Sequence, residues 1–142
     1  MKYQRTKLSL QFRHPERDLT AICDELGLAP KFIWKAGDQR RTPRGNLLEG
    51  IRPSSYCSID LGPTRRVSLA RQIETALGLL QPHRRMLRRF SSSGGGISLF
   101  IGWFLDADIR EVLEHRLLGQ AADLRVAIDL DVYIPERLKK SR

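Results

Sequence analysis

Hydrophobic and polar positions alternate with period two in four stretches of this chain, and in several others they recur at helical spacing. Near the start, Thr6, Leu8, Leu10 and Phe12 alternate with Lys7, Ser9, Gln11 and Arg13, the pattern of a strand with one buried face. Pro15 then opens an expected helix whose inward stripe is Leu19, Ile22, Cys23 and Leu26; Gly27 stops it and Pro30 follows. Phe32-Ile33-Trp34 reads as a short extended run ending at Gly37-Asp38. Residues 38–55 are rich in Arg, Pro, Gly and Ser and show no period, which predicts a long exposed loop. Tyr56 to Leu61 is a short strand stopped by Gly62-Pro63, with Cys57, Ile59 and Leu61 on one face. A helical stripe follows at Leu69, Ile73, Ala76, Leu77 and Leu80. Pro82 ends or kinks that helix, and Met86, Leu87 and Phe90 continue the stripe on a second piece. Ser91 to Gly96 reads as a flexible connector.

The last third is the most legible. Ile97, Leu99, Ile101, Trp103 and Leu105 share one face of a strand. Asp108, with Glu111 three residues on, has the form of a capping box, opening a helix through Ile109, Val112, Leu113 and Leu117 that Gly119 closes. Ala122, Leu124, Val126, Ile128, Leu130, Val132 and Ile134 then alternate as a strand. The two ends of the chain share a pattern of strand, helix and glycine stop. The expected fold is α+β: a ferredoxin-like antiparallel sheet from two βαβ units, helices on one face, with an inserted strand and kinked helix. Residues 1–142 read as a single domain, with core units at about 6–36 and 96–134 and a basic insert at about 37–95.

Composition supports a folded chain. With 142 residues, 41% of them hydrophobic and 29% charged, it is long enough to bury a core. No apolar run approaches the ~20 residues of a membrane span. No apolar segment follows the charged start Met1-Lys2-Tyr3-Gln4-Arg5, as a signal peptide requires. The expectation is a cytoplasmic protein without membrane contact. Cys23 and Cys57 form no CxxC and each falls on an apolar face, so both read as small buried hydrophobes. The sequence leaves a disulfide between them open, and a reducing compartment argues against it. The net charge of +9 is unevenly placed: residues 31–90 hold 13 of the 25 Lys and Arg but four of the 16 Asp and Glu, while the rest of the chain balances at 12 and 12.

Several residues are candidates for chemistry. In Trp34-Lys35-Ala36-Gly37-Asp38, an aromatic beside a lysine and a Gly-Asp turn can grip a ligand by stacking and charge, which nominates Trp34, Lys35 and Asp38. The simpler reading docks Trp34 into the core and uses Gly37 for the turn. Asp129 and Asp131 project from one strand face about 7 Å apart, with Tyr133 next in line. Paired carboxylates suggest acid–base or metal chemistry; against that stands a solvated strand face paired with Lys7 or Arg13 across the sheet. Ser91 to Gly96 has the wrong order for a phosphate loop, because a strand rather than a helix follows the glycines. His14, His83 and His115 are scattered and read as surface histidines. No catalytic residue, metal site or cofactor motif emerges.

Arginine dominates the electrostatics. In His83-Arg84-Arg85-Met86-Leu87-Arg88-Arg89-Phe90, helical spacing sets Arg84 and Arg88 on one line and Arg85 and Arg89 on the next. With Arg40, Arg41, Arg44, Arg65, Arg66 and Arg71 they form a candidate basic face, suited to a phosphate backbone or an acidic protein, or simply solvated. Phe100 and Phe104 fall on the polar side of their strand. The inserted helix pair is the expected cover for them, with a second copy of the chain (a homodimer) or a ligand as the alternatives.

The N-terminal Ser-Leu strand, Leu26-Gly27-Leu28 before Pro30, Trp34-Lys35-Ala36-Gly37-Asp38 and the final Leu130-Asp131-Val132-Tyr133 give the chain its likeness. From about residue 6 to 134 it resembles the bacterial domain-of-unknown-function family 4279. The resemblance implies one small α+β domain and no known reaction or ligand. The functional expectation is accordingly a non-catalytic binding or protein-interaction module with a basic face and an acidic protein partner. The alternative is a nucleic-acid-binding protein using the Arg-rich segment, non-specific in sequence, and the third is an enzyme using Asp129 and Asp131.

Overall fold

The computed structural model describes residues 4–65 and 67–134. Its strands are β1 (Gln4–His14), β2 (Phe32–Trp34), β3 (Gln39–Arg41), β4 (Leu47–Ile51), β5 (Ser55–Arg65), β6 (Gly96–Leu105) and β7 (Val126–Tyr133). Its helices are α1 (Thr20–Leu26), α2 (Leu69–Leu80), α3 (Arg84–Ser92) and α4 (His115–Asp123). Five strands form one sheet in the order β2-β5-β1-β6-β7, and β3 pairs with β4 as a separate hairpin.

The architecture is α+β, but the sheet is mixed rather than antiparallel. β1 runs antiparallel to β5 and β6, and β5 antiparallel to β2, whereas β7 lies parallel to β6. The reason is the connection through α4: a strand that returns beside its predecessor after a helical crossover must run the same way. The middle of the chain is also no appendage. β5 lies between β1 and β2, and Leu69, Ile73, Leu77, Leu87 and Phe90 of α2 and α3 are buried in the same core as the β1 and β6 residues.

Local signals explain most of the elements. Gly27 adopts φ 68° and closes α1 in a left-handed cap, with the Leu28 N–H returning to the Cys23 carbonyl at 3.1 Å. Ser68 caps α2 by accepting from the Arg71 N–H at 3.2 Å. Pro82 sits in a 3₁₀ turn, Gln81–His83, that separates α2 from α3. The glycines after α3 form a hydrogen-bonded turn rather than a slack connector, with the Gly94 and Gly95 N–H groups closing on the Ser91 and Phe90 carbonyls. A Cβ at Gly95 would run into the Phe90 ring.

Four local expectations are revised. Residues 38–55 contain the β3–β4 hairpin; every residue of its strands is exposed, so no alternation marks it. No helix starts at Asp108. α4 begins at His115, Gly119 lies inside it, and the Glu111 carboxylate instead accepts from the Leu69 N–H at the start of α2. Ala122 ends up in α4 and Leu124 in the turn that follows, so β7 starts at Val126. His14 is buried: its Nδ1 accepts from the Arg17 N–H at 2.9 Å, leaving Nε2–H to donate to Ser93 Oγ at 3.1 Å.

The sheet has one covered face and one open face. Leu8, Leu10 and Phe12, Cys57 and Ile59, and Ile97, Leu99 and Ile101 lie under the helices. By register, Lys7, Ser9, Gln11 and Arg13 share the other face with Phe100, Phe104, Tyr56, Asp129 and Asp131. The helix pair therefore does not cover Phe100 and Phe104, which are half-buried on the side away from it. Among the described residues no helix is long and apolar enough to cross a membrane.

Candidate functional site

The most built-up surface feature lies at the β2 edge of the open face. Alternation along β2 turns Phe32 and Trp34 toward this face, and antiparallel register sets Trp34 beside Tyr56 of β5 and Tyr56 beside Arg13 of β1. The Trp34 and Tyr56 rings lie 4.7 Å apart at 37°. The Arg13 guanidinium sits 4.5 Å from the Tyr56 ring centre, and Arg52 sits 3.6 Å from that of Trp34. The result is a short ladder of arginine, tyrosine, tryptophan and arginine.

Backbone bonds hold the end of the ladder in place. The Arg52 N–H donates to the Asp38 carbonyl at 2.7 Å, and the Gly37 N–H donates to the Arg52 carbonyl at 2.8 Å. Gly37 has φ 91°, which a side chain would strain. The Asp38 carboxylate accepts from the Lys35 N–H at 2.8 Å, so it is committed to its own turn. The distinctive Trp-Lys-Ala-Gly-Asp segment is thus the clamp that returns Arg52 onto Trp34. Trp34 itself is half-buried on the open face and does not enter the core, contrary to the simpler reading of the sequence.

Beneath the β3–β4 hairpin the ladder borders a hollow of about 620 Å³, lined by Phe32, Trp34, Tyr56, Arg41, Arg52 and Asp38 among others. Leu47 and Ile51 of the hairpin are also exposed. Arg41 donates to the Gly45 carbonyl at 3.0 Å. Among the described residues neither Arg13 nor Arg52 pairs with a carboxylate. A guanidinium lying on a ring has its plane fixed, while its N–H donors stay in that plane and free to meet an anion.

The Arg-rich segment of α3 turns out differently. Arg84 holds both oxygens of Asp123 at 2.6 and 2.8 Å, and Arg88 reaches the same carboxylate at 3.2 Å and the Asp123 carbonyl at 2.9 Å. These bonds, Arg84 first, hold the Asp123 carboxyl below its ordinary range, and Asp123 in turn raises Arg84. Two of the four expected contacts are therefore spent on joining α3 to the end of α4, and Arg85 and Arg89 remain exposed. Arg66 lies outside the described residues, and so does the Arg65 side chain.

Asp129, Asp131 and Tyr133 sit on β7, the opposite edge of the sheet from Trp34, Lys35 and Asp38, so the two candidate groups are not brought together. The Tyr133 hydroxyl donates to Asp131 at 2.5 Å, a bond that pushes the phenol above its ordinary range. Tyr133 stacks on Phe104 at 4.6 Å and 10°, with Arg5 over the far partner at 4.5 Å. β6 intervenes between β7 and β1, so Lys7 and Arg13 are not the neighbours of these aspartates. Among the described residues no group of three or more His, Cys, Asp or Glu side chains could hold a metal.

Sequence reasoning missed Arg13, Arg52 and Tyr56 as a group. Alternation did carry a signal for Tyr56, since Cys57 and Ile59 point inward and Tyr56 must then point out. Nothing local signals Arg52, whose place depends on the turn at Gly37.

No curated protein and no solved structure matches the chain. A family model described as a domain of unknown function (DUF4279) matches residues 4–135, nearly the whole chain. The protein belongs to the DUF4279 family.

Proposed function

We propose that the protein is a non-catalytic binding module that receives a carboxylate-rich segment of a protein partner in the hollow beside β2. The supporting observation is the arginine–aromatic ladder: two guanidiniums that lie over aromatic rings and have no carboxylate partner among the described residues, of which Arg52 lines the open hollow and Arg13 lies over Tyr56 at its border. Residues 31–56 carry six Lys and Arg against Asp38 and Glu49, and Asp38 is turned into its own loop. Exposed Phe32, Leu47 and Ile51 add apolar surface, which suits a peptide whose acidic residues alternate with aliphatic ones.

The nucleic-acid reading has less behind it. Arg84 and Arg88 are engaged by Asp123, and both Trp34 and Tyr56 already carry an arginine, which leaves less open ring for a base. As to fold, we propose that β2, β5, β1 and β6 with their helical connections form a ferredoxin-like unit. The β3–β4 hairpin and the strand β7 are then additions to it. The order β2-β5-β1-β6, with all three pairs antiparallel, supports that reading.

Titration of Trp fluorescence with an acidic–aliphatic peptide, a neutral peptide of the same aliphatic pattern and a single-stranded oligonucleotide tests the proposal. The acidic peptide should bind, more weakly as salt rises, and Arg52→Ala should reduce its affinity at least about tenfold. Equal affinity for the neutral peptide, or tighter binding of the oligonucleotide, would overturn it.

A further inference from the structure

The two cysteines of the chain come from distant positions to a single point. Cys23 lies on the inward stripe of α1 with Ile22, following the N-cap Leu19; Cys57 lies near the start of β5, in register with Ile33 and Phe12. Both are free and buried, and their sulfurs are 3.1 Å apart. A disulfide bond is about 2.05 Å long, so closing one asks for a movement of about 1 Å in sulfur position. With no third cysteine in the sequence, there is no competing pairing within the chain.

The two cysteines differ in their surroundings. Cys23 forms part of the wall of a hollow of about 480 Å³ between α1 and β2, together with Thr20, Gly27, Leu28, Pro30 and Ile33. Cys57 is fully buried and does not border it. We propose that Cys23 and Cys57 are a redox-active thiol pair, in which Cys23 is attacked from this hollow by a low-molecular-weight disulfide and Cys57 resolves the adduct. The Cys23 sulfur attacks one sulfur of the small disulfide, whose S–S bond breaks; the first small thiol leaves with the Cys23 proton, and a mixed disulfide forms on Cys23. The Cys57 sulfur then attacks the Cys23 sulfur, and the second small thiol leaves with the Cys57 proton. The pair loses two electrons and two protons, and the small disulfide becomes two thiols. Small thiols in excess reverse both steps.

The order of events follows from the surroundings. Burial, and then the contact with Cys23, push the Cys57 thiol up to about 12, so it carries its proton until the adduct is beside it. The bond closes a loop that starts in α1 and ends in β5, and that loop contains Trp34, Arg52 and Tyr56. On the binding reading above, oxidation would therefore fasten both ends of the segment that carries the site.

The chemistry can be tested without reference to any partner. The folded full chain is incubated with oxidised glutathione, denatured, alkylated and weighed intact. The wild type should lose two hydrogens and take no alkyl label, and a non-reducing tryptic map should link peptide 18–31 to peptide 45–65. Cys57→Val should instead accumulate one glutathione on Cys23, and Cys23→Val should stay unmodified while folded. Two alkyl labels on the wild type, or a glutathione adduct that persists on it, would overturn the proposal. The tryptic map decides the matter even where a variant fails to fold.

Discussion

Arg84 and Arg88 of the helix layer grip the Asp123 carboxylate, whereas Arg13 and Arg52 on the open face of the sheet lie against Tyr56 and Trp34. The four carry the same charge, yet they have different work. A guanidinium that forks onto a carboxylate has its donors committed to the fold. One that rests on a ring is oriented by the ring and keeps its donors for an incoming anion. The conspicuous run of arginines in the sequence is thus partly structural, and two arginines that stand 39 positions apart in the chain form the more available pair.

The faces they belong to should respond differently to substitution. Phe90 is fully buried on the helix side, edge-on to Phe12 at 5.6 Å, and Phe90→Ala should cost about 3–5 kcal/mol in chemical denaturation. A cost below about 1 kcal/mol would mean that α3 is not the cover of the sheet. Next in size is the reciprocal arginine experiment. Arg52→Ala should weaken acidic-peptide binding at least about tenfold and leave the unfolding midpoint nearly unchanged. Arg84→Ala should lower the midpoint and leave peptide affinity unchanged. Should both variants lose affinity equally, the distinction between spent and available arginines would fail.

Trp34→Ala sharpens the contrast with Phe90. It removes a half-exposed stacking partner, so its stability cost should be about 0.5–1.5 kcal/mol, while the binding signal at Tyr56 and Arg52 is lost. A core-sized loss would return Trp34 to the role of anchor. The smallest effect concerns pH. Because Asp123 titrates below its ordinary value in the folded chain, its bridge contributes fully above about pH 4, the unfolded value. That contribution fades as pH falls through the lowered folded value. Asp18, held down by the Thr20 N–H, fades in the same window, so the difference between wild type and Asp123→Asn isolates the bridge. Wild-type and variant stabilities that fall in parallel from pH 5 to 2 would remove Asp123 from the account.

What could be read in advance follows from how local each determinant is. Strands with one buried face announce themselves by alternation, so β1, the inward residues of β6 and most of β7 were legible, as was the break at Pro82. The β3–β4 hairpin was not, because burial creates alternation and neither of its strands is buried. The Asp108 capping box failed for a related reason: Glu111 has the right side chain for an N-terminus, but the N-terminus it serves is that of α2.

The sequence by itself determined which residues are apolar and at what period, and so the α+β class, the helix faces, the excess positive charge of the middle segment and the family. Tertiary structure alone decided the strand order, and with it every non-local neighbour. β5 enters between β1 and β2, which sets Tyr56 between Arg13 and Trp34; α1 packs over β5, which sets Cys23 against Cys57; α4 ends beside α3, which gives Arg84 and Arg88 their carboxylate. Period and composition report how a residue meets water, whereas register and crossover connections determine which residue it meets instead.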